Sequence, residues 1–248
     1  MDSTLNQKTE VGYFQNLRPE MLKFIPKDSI KILEVGCGEG AFCKSLKSID
    51  RELWGIEMDP KAAKKATEVL NFVFTGDFNA IYDQLPKNYF DCVIFNDVLE
   101  HIYAPWDTIQ LVKSLLSPKG VLVSSIPNFR YIDNLITEIL FRKDFMYKPK
   151  GGILDDTHIR FFTSKSMLRM FQEQGYDVLI HEGINPCKSW KEKLFIALSF
   201  GLLKDARYKQ FANVASVKIL AQIGLIFDTF YMDEDTLEES VKYIYKAR

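Results

Sequence analysis

The sequence predicts an α/β fold, a mostly parallel sheet with helices on both faces. Three observations carry this. Short runs rich in β-branched and aromatic residues recur through the first half of the chain, and helical patterns separate them. Near-continuous apolar strands alternating with helices belong to a sheet covered on both sides. Gly36, Gly38 and Gly40 follow the first run, where a strand must turn tightly into a helix. Finally, the 248 residues are 47% hydrophobic and 26% charged, the balance of a globular chain that builds its core without a staple.

The first strand, 31–35 (KILEV), ends on the glycines. Strands follow at 53–57 (LWGIE), 71–75 (NFVFT, closed by Gly76 and Asp77), 91–96 (DCVIFN) and 120–126 (GVLVSSI). Pro118 and Pro127 punctuate the fifth. Helical patterns fill 41–48, 60–69 and 104–116. After Asn128 the rhythm changes. Residues 131–143 read as an apolar helix, followed by basic residues and Gly151-Gly152. Residues 163–175 read as a helix with Thr163 as N-cap and Gly175 at its end. A helix at 189–204 separates strands at 176–181 and 210–217, and 233–246 forms a last helix. The expected domain is 1–218, with an insertion at 129–157 and a second cover at 187–207. Residues 219–248 form a helical extension and a candidate homodimer contact. A connection as long as 129–157 either carries substrate contacts or serves as a packing cover.

Lys plus Arg is 32 and Asp plus Glu is 33, a formal net charge of −1. That balance argues against a nucleic-acid partner, which needs excess positive charge. Cys37, Cys43, Cys92 and Cys187 show no C-x-x-C spacing, so reduced thiols and a cytoplasmic location are expected. The N-terminal residues lack the apolar core of a signal peptide. The longest apolar run, 194–203, is too short to span a bilayer. It is long enough for a peripheral membrane contact or a pocket cover.

The segment Glu34-Val35-Gly36-Cys37-Gly38-Glu39-Gly40 lets the backbone approach a ligand closely. With Ala41 it also fits G-x-G-x-x-[GA], the dinucleotide fingerprint, so the glycines alone leave the cofactor open. Two acids choose. Glu34, two residues before Gly36, disfavours a pyrophosphate and suits a cationic amino-acid group. Glu57, ending the second strand, can accept both ribose hydroxyls. Adenosine with an ammonium-bearing tail and no phosphate describes S-adenosylmethionine.

E-V-G-C-G-E-G, G-I-E-M-D, G-D, F-D-C-V-I-F-N-D-V-L-E-H-I and L-L-S-P-K-G-V-L-V-S-S-I-P-N occur in this order. Over residues 11–185 they resemble the motifs of class I S-adenosylmethionine-dependent methyltransferases. The resemblance implies a Rossmann-like fold with a seven-stranded sheet of order 3-2-1-4-5-7-6. It also implies residue roles. Gly36 and Gly38 pass the methionine part, Glu57 holds the ribose, and Asp77 binds the adenine amino group with Phe78 beside the ring. Asn96 lines the methionine and sulfonium. Arg18, in Y-F-Q-N-L-R, resembles the arginine that pairs with the methionine carboxylate in ubiquinone-type O-methyltransferases. Tyr13 either joins it or simply packs.

Methyl transfer is an in-line displacement in which the protein supplies position and electrostatics. A hydroxyl acceptor needs a base or a metal to stabilise the developing alkoxide. One helical turn after the fourth strand would place Asp97, Glu100 and His101 on one face, at i, i+3 and i+4. Such a set suits Mg²⁺ or another divalent cation. The segment resembles the E-x-x-E-H site of two metal-dependent groups, the ubiquinone-biosynthesis O-methyltransferases and the small-RNA terminal 2′-O-methyltransferases. Asp97 stands where those have Glu. His158, in D-D-T-H-I-R-F-F-T, takes the place of a later histidine of the RNA enzymes. The resemblance implies a metal set of Asp97, Glu100, His101 and His158, with His101, His158 and Asp97 at the reacting hydroxyl. The alternative is that the L-E-H turn only supports its loop. His181 reads as structural. Asp155 and Asp156 either orient His158 or cap the loop, and Arg160 either meets a substrate anion or pairs with them.

The stretch P-N-F-R…D-D-T-H-I-R-F-F-T…G-Y resembles methyltransferases of bacterial surface-polysaccharide and O-antigen biosynthesis. The first expectation is therefore O-methylation of a sugar hydroxyl on a small-molecule or glycan substrate. Lys143, Lys148 and Lys150 then either meet a phosphate or are solvated. The second is a prenyl-quinol or other lipid phenol, with 135–141 and 194–203 shaping an apolar pocket or membrane dock. The third is a non-catalytic methyltransferase-like binding module.

Overall fold

The computed structural model describes residues 17–48, 50–132, 155–188, 193, 196 and 203–217. The chain divides into two compact units, Met1–Ser216 and Val217–Arg248, and the first carries the architecture below. Tyr13, most of the insertion with its lysines, most of the 187–207 cover and the 219–248 extension lie outside the described residues.

Seven strands form one sheet in the order β3-β2-β1-β4-β5-β7-β6, as expected. They are β1 (Lys31–Val35), β2 (Glu52–Glu57), β3 (Phe72–Thr75), β4 (Phe90–Asn96), β5 (Leu116–Pro127), β6 (Tyr176–Pro186) and β7 (Tyr208–Val217). β1 pairs in parallel with β2 (Val35 opposite Ile56) and with β4 (Val35 opposite Phe95). β5 runs parallel to β4 and antiparallel to β7. The winding reverses between β1 and β4. Such a switch point leaves a crevice beyond the carboxyl ends of the strands.

Burial explains which runs became central. Cys92 to Phe95 of β4 are wholly buried, and so are Ile32 and Leu33 of β1. At the β3 edge Phe72 is exposed. The helices are α1 (Ala41–Leu46), α2 (Pro60–Ala66), α3 (Phe78–Ile81), α4 (Pro105–Leu115) and α5 (Ser164–Glu173). Asp59 caps α2 by accepting from Lys61 N and Ala62 N, and Thr163 caps α5 in a reciprocal box with Ser166. The buried Tyr176 hydroxyl donates to Ile109 O at 2.7 Å, tying the β6 start to α4.

Several boundaries moved. α1 and α2 end two and three residues early, at Leu46 and Ala66. β5 starts at Leu116 because Leu116 already pairs with Phe90, after which the register shifts. Gly120 permits that shift, since a Cβ there would stand 2.6 Å from Phe90 O. The short 3-10 turn at Pro19–Phe24 had no sequence period to announce it, and the helical turn expected after the fourth strand is a 3-10 turn at Leu99–His101. Where the insertion and the cover are described, Ile132, Cys187 and Ala206 form a small buried cluster. All four cysteines are buried thiols. No helix among the described residues is long and apolar enough to cross a membrane.

Candidate active site

The glycine loop is built by left-handed backbone. Gly36, Gly38 and Gly40 have φ of 72°, 55° and 80°. At Gly36 a Cβ would also stand 2.6 Å from Val98 Cγ2, so only glycine fits. Gly36 N and Cys37 N both donate to Ile56 O, at 2.8 and 3.1 Å, which pins the loop across β2. Glu57 completes the turn. Its Oε2 accepts from Gly38 N at 2.8 Å and its Oε1 from Asp59 N at 2.9 Å. Each oxygen retains a second lone pair for a ligand hydroxyl.

This loop closes one wall of a cavity of about 740 Å³ at the carboxyl ends of the strands, a volume in the range of small-molecule sites. All the residues expected to bind the cofactor line it: Arg18, Glu34, Gly36, Gly38 and Glu57 near the loop, and Asp77, Phe78 and Asn96 beyond. Tyr103, Met58 and Phe42 also line it. No role for any of them is legible in the sequence, since neither an apolar side chain within or beside a motif nor a lone tyrosine announces whether it faces a cavity. Asp77 caps α3 through Asn79 N at 2.9 Å. Phe78 packs edge-on against Phe95 at 5.8 Å.

Glu34 is 2% exposed. It accepts from the Cys43 thiol at 3.0 Å and from Asn96 Nδ2 at 3.1 Å. Burial pushes its pKa up to about 7, against those two hydrogen bonds and the Arg18 charge. Asn96 Oδ1 is buried with no hydrogen-bond partner. A buried acceptor left open beside a carboxyl group poised to ionise fits an ammonium ligand. The residues present therefore fit the amino-acid end of S-adenosylmethionine.

At the other end, His101 both lines the cavity and belongs to a cluster with Glu100 and His158. One ligand atom from each lies within 4.8 Å of the others. The turn Leu99–His101 presents the first two. The distant segment carrying His158 is docked by backbone bonds, with Ile159 N and Arg160 N both donating to Glu100 O, at 3.1 and 3.0 Å. His101 Nδ1 lies 3.0 Å from Thr157 O. A carbonyl only accepts, so Nδ1 carries the proton and Nε2 the lone pair. Burial, opposed by the Thr157 bond, keeps the His101 pKa low and the ring neutral. Glu100 is 1% exposed, and neither carboxylate oxygen has a hydrogen-bond partner. Burial first, then the Asp97 charge, pushes its pKa well up. A buried carboxyl group without hydrogen bonds, facing two imidazoles, fits a divalent cation.

Asp97 does not join this cluster. Its backbone takes φ 54°, which breaks the helical phase assumed for i, i+3, i+4. The carboxylate instead pairs with Arg18. It also accepts from Ser125 Oγ at 2.8 Å and Gln210 Nε2 at 2.6 Å. The structure thus brings three of the four residues of the expected metal set together and turns the fourth away. The remaining candidates settle into structural contacts. Asp155 caps its own loop through Thr157. Arg160 donates to Tyr103 O at 2.9 Å, rather than pairing with the aspartates. His181 sits between Ser164 and Asn213 and stacks on Phe211.

A glycine-looped cavity at the switch point of a 3-2-1-4-5-7-6 sheet defines a Rossmann-like protein of the class I methyltransferase type. The chain belongs to the methyltransferase-domain family, whose model matches residues 10–181. It is 27% identical over 167 residues to the mitochondrial ubiquinone biosynthesis O-methyltransferase of Schizosaccharomyces pombe, covering 64% of this chain and 60% of that protein. It is 25% identical over 171 residues to the ubiquinone biosynthesis O-methyltransferase of Colwellia psychrerythraea, covering 63% and 64%. The chain thus spans less than two thirds of these curated relatives. In fold it resembles a SAM-dependent methyltransferase from Archaeoglobus fulgidus, with a TM-score of 0.64 at 19% identity, covering 85% of this chain and 97% of that one.

Proposed function

We propose that this protein is an S-adenosylmethionine-dependent O-methyltransferase acting on a quinol or phenol hydroxyl. The carrying observation is that His101 lines the cofactor-sized cavity and also belongs to the Glu100–His158 cluster. Cofactor site and acceptor site then meet at one residue. The relatives, named for ubiquinone biosynthesis, favour the prenyl-quinol reading over the surface-polysaccharide sugar. Tyr103, which lines the cavity and is 78% exposed, adds an aromatic rim beside His101.

When bound, S-adenosylmethionine supplies a methyl group on a sulfonium, and a divalent cation supplies Lewis-acid stabilisation of the acceptor oxygen. The chain's own residues do the rest. Glu57 holds the ribose hydroxyls. Asp77 and Phe78 frame the adenine. Glu34 and Asn96 Oδ1 receive the ammonium, and Arg18 faces the carboxylate. Glu100, His101 and His158 would hold the cation, and the Thr157 carbonyl fixes the His101 tautomer that leaves the Nε2 lone pair available to a metal. The acceptor hydroxyl would lose its proton to water beside this cluster; its oxygen then forms the new C–O bond as the sulfonium–methyl bond breaks in line, and the electron pair stays on sulfur in S-adenosylhomocysteine.

The test offers a short-chain prenylated quinol and a hexose acceptor separately, with S-adenosylmethionine, and reads methyl incorporation by mass. Methylation of the quinol, lost on chelation and restored by Mg²⁺ or Mn²⁺, is expected. Methylation of the sugar alone would restore the glycan reading. Full quinol activity after chelation would leave His101 and His158 acting without a cation.

A further inference from the structure

Three of the four non-glycine residues with positive φ among the described residues, Arg18 (45°), Asp97 (54°) and Asn185 (52°), belong to one polar network. Strained backbone persists where its surroundings hold it for a purpose. The network joins the segment before β1, the end of β4, and strands β6 and β7, and its centre is Gln210. Gln210 Nε2 donates to Asp97 Oδ2 at 2.6 Å. Its Oε1 accepts from Asn185 Nδ2 at 2.8 Å and faces Arg18 Nη2 at 3.5 Å. Arg18 Nη2 also donates to Ser125 Oγ at 3.0 Å. The donor end of the amide thus meets the carboxylate and its acceptor end meets the two donors. Neither a carboxylate nor an apolar side chain satisfies both.

We propose that Gln210 is a positioning residue that, through Asp97, holds the Arg18 guanidinium in the cavity as the receptor for the cofactor's carboxylate. The inference rests on the S-adenosylmethionine reading. Arg18 is 6% exposed and Gln210 8%. A guanidinium buried to that degree is held where its partners put it, and both Arg18 and Asp97 line the cavity. Asp97 thereby serves the amino-acid end of the cofactor and not the cation cluster. The diverted position in the D-x-x-E-H segment then follows from a residue more than a hundred positions later.

Calorimetry with two ligands tests this: S-adenosylhomocysteine, and 5′-methylthioadenosine, which shares the adenosyl thioether but lacks the amino acid. Gln210→Leu and Asp97→Asn should weaken S-adenosylhomocysteine by about tenfold or more and leave methylthioadenosine within about twofold. A general loosening of the fold would weaken both. Equal weakening of the two ligands, or unchanged S-adenosylhomocysteine affinity, overturns the proposal. If Gln210→Leu does not fold, Gln210→Asn keeps the amide but shortens its reach, and the same selective loss is expected. Wild-type protein that binds methylthioadenosine as tightly as S-adenosylhomocysteine would remove the Arg18 receptor while leaving an adenosine site. Wild-type protein that binds neither would remove the cofactor reading itself.

Discussion

A carboxyl group enclosed as Glu34 is carries a pH signature. Its pKa is pushed from 4.5 up to about 7, chiefly by burial. Between those values the folded chain holds a proton that the unfolded chain has released. Stability therefore falls as pH rises from about 4.5 to 7, by up to about 3 kcal/mol in the ligand-free protein. Glu34→Gln removes the titration. Its thermal midpoint should vary less than the wild type's between pH 5 and 8, and parallel curves would show that Glu34 ionises freely. The same variant should bind S-adenosylhomocysteine more weakly, because the ammonium loses its counter-charge. Glu34, Gly36, Gly38 and Glu57 were legible in the sequence because strand ends and glycines fix where they point. Gln210, Ser125 and Asn185 were not, since their roles arise from pairings between β5, β7 and β6 that no local pattern encodes. Asp97 misled for a related reason. Spacing places a side chain on a helix face only where the backbone stays helical, and φ 54° at Asp97 ends that assumption.

At the scale of elements, the strands are legible because the central ones are buried on both faces, and burial leaves a continuous apolar run. Helix ends are less legible where no cap announces them. α1 stops at Leu46, before Lys47 and Ser48, and α2 at Ala66, before Thr67, Glu68 and Val69, since propensity does not set where a helix leaves the sheet. Helix starts are legible: α1 and α2 begin at Ala41 and Pro60 as expected, and α5 begins after the Thr163 cap. The Thr163 Oγ1 accepts from Ser166 N at 3.3 Å, and Ser166 Oγ accepts from Thr163 N at 2.8 Å. Thr163→Ala should lower unfolding free energy by about 1 kcal/mol in urea titration, with cofactor affinity unchanged. A loss below a few tenths would mean that packing of Met167, Met170 and Phe171 alone fixes the helix.

The whole molecule works by convergence. Arg18 precedes β1, Glu34 and Glu57 end neighbouring strands, and Gln210 comes from the last strand, yet all serve one cavity or the pair beside it. Strand order was available from motif order once the resemblance was recognised. The docking of residues 155–160 onto Glu100 was not, because two backbone bonds to a carbonyl leave no trace in side-chain chemistry. A site assembled this way makes folding and ligand binding strongly linked. A ligand that binds only the assembled state stabilises by RT ln(1 + [L]/Kd), about 2.7 kcal/mol at a hundredfold excess over Kd. For a chain of this size that is a rise of about 5–10 °C in thermal midpoint. S-adenosylhomocysteine should produce it in a melting scan. At fixed ligand concentration the rise should be larger at pH 7.5 than at pH 5.5, because at the lower pH the ammonium must first displace the Glu34 proton. A rise that is equal at both, or larger at the lower pH, would mean that the ligand's charge is met elsewhere than at Glu34.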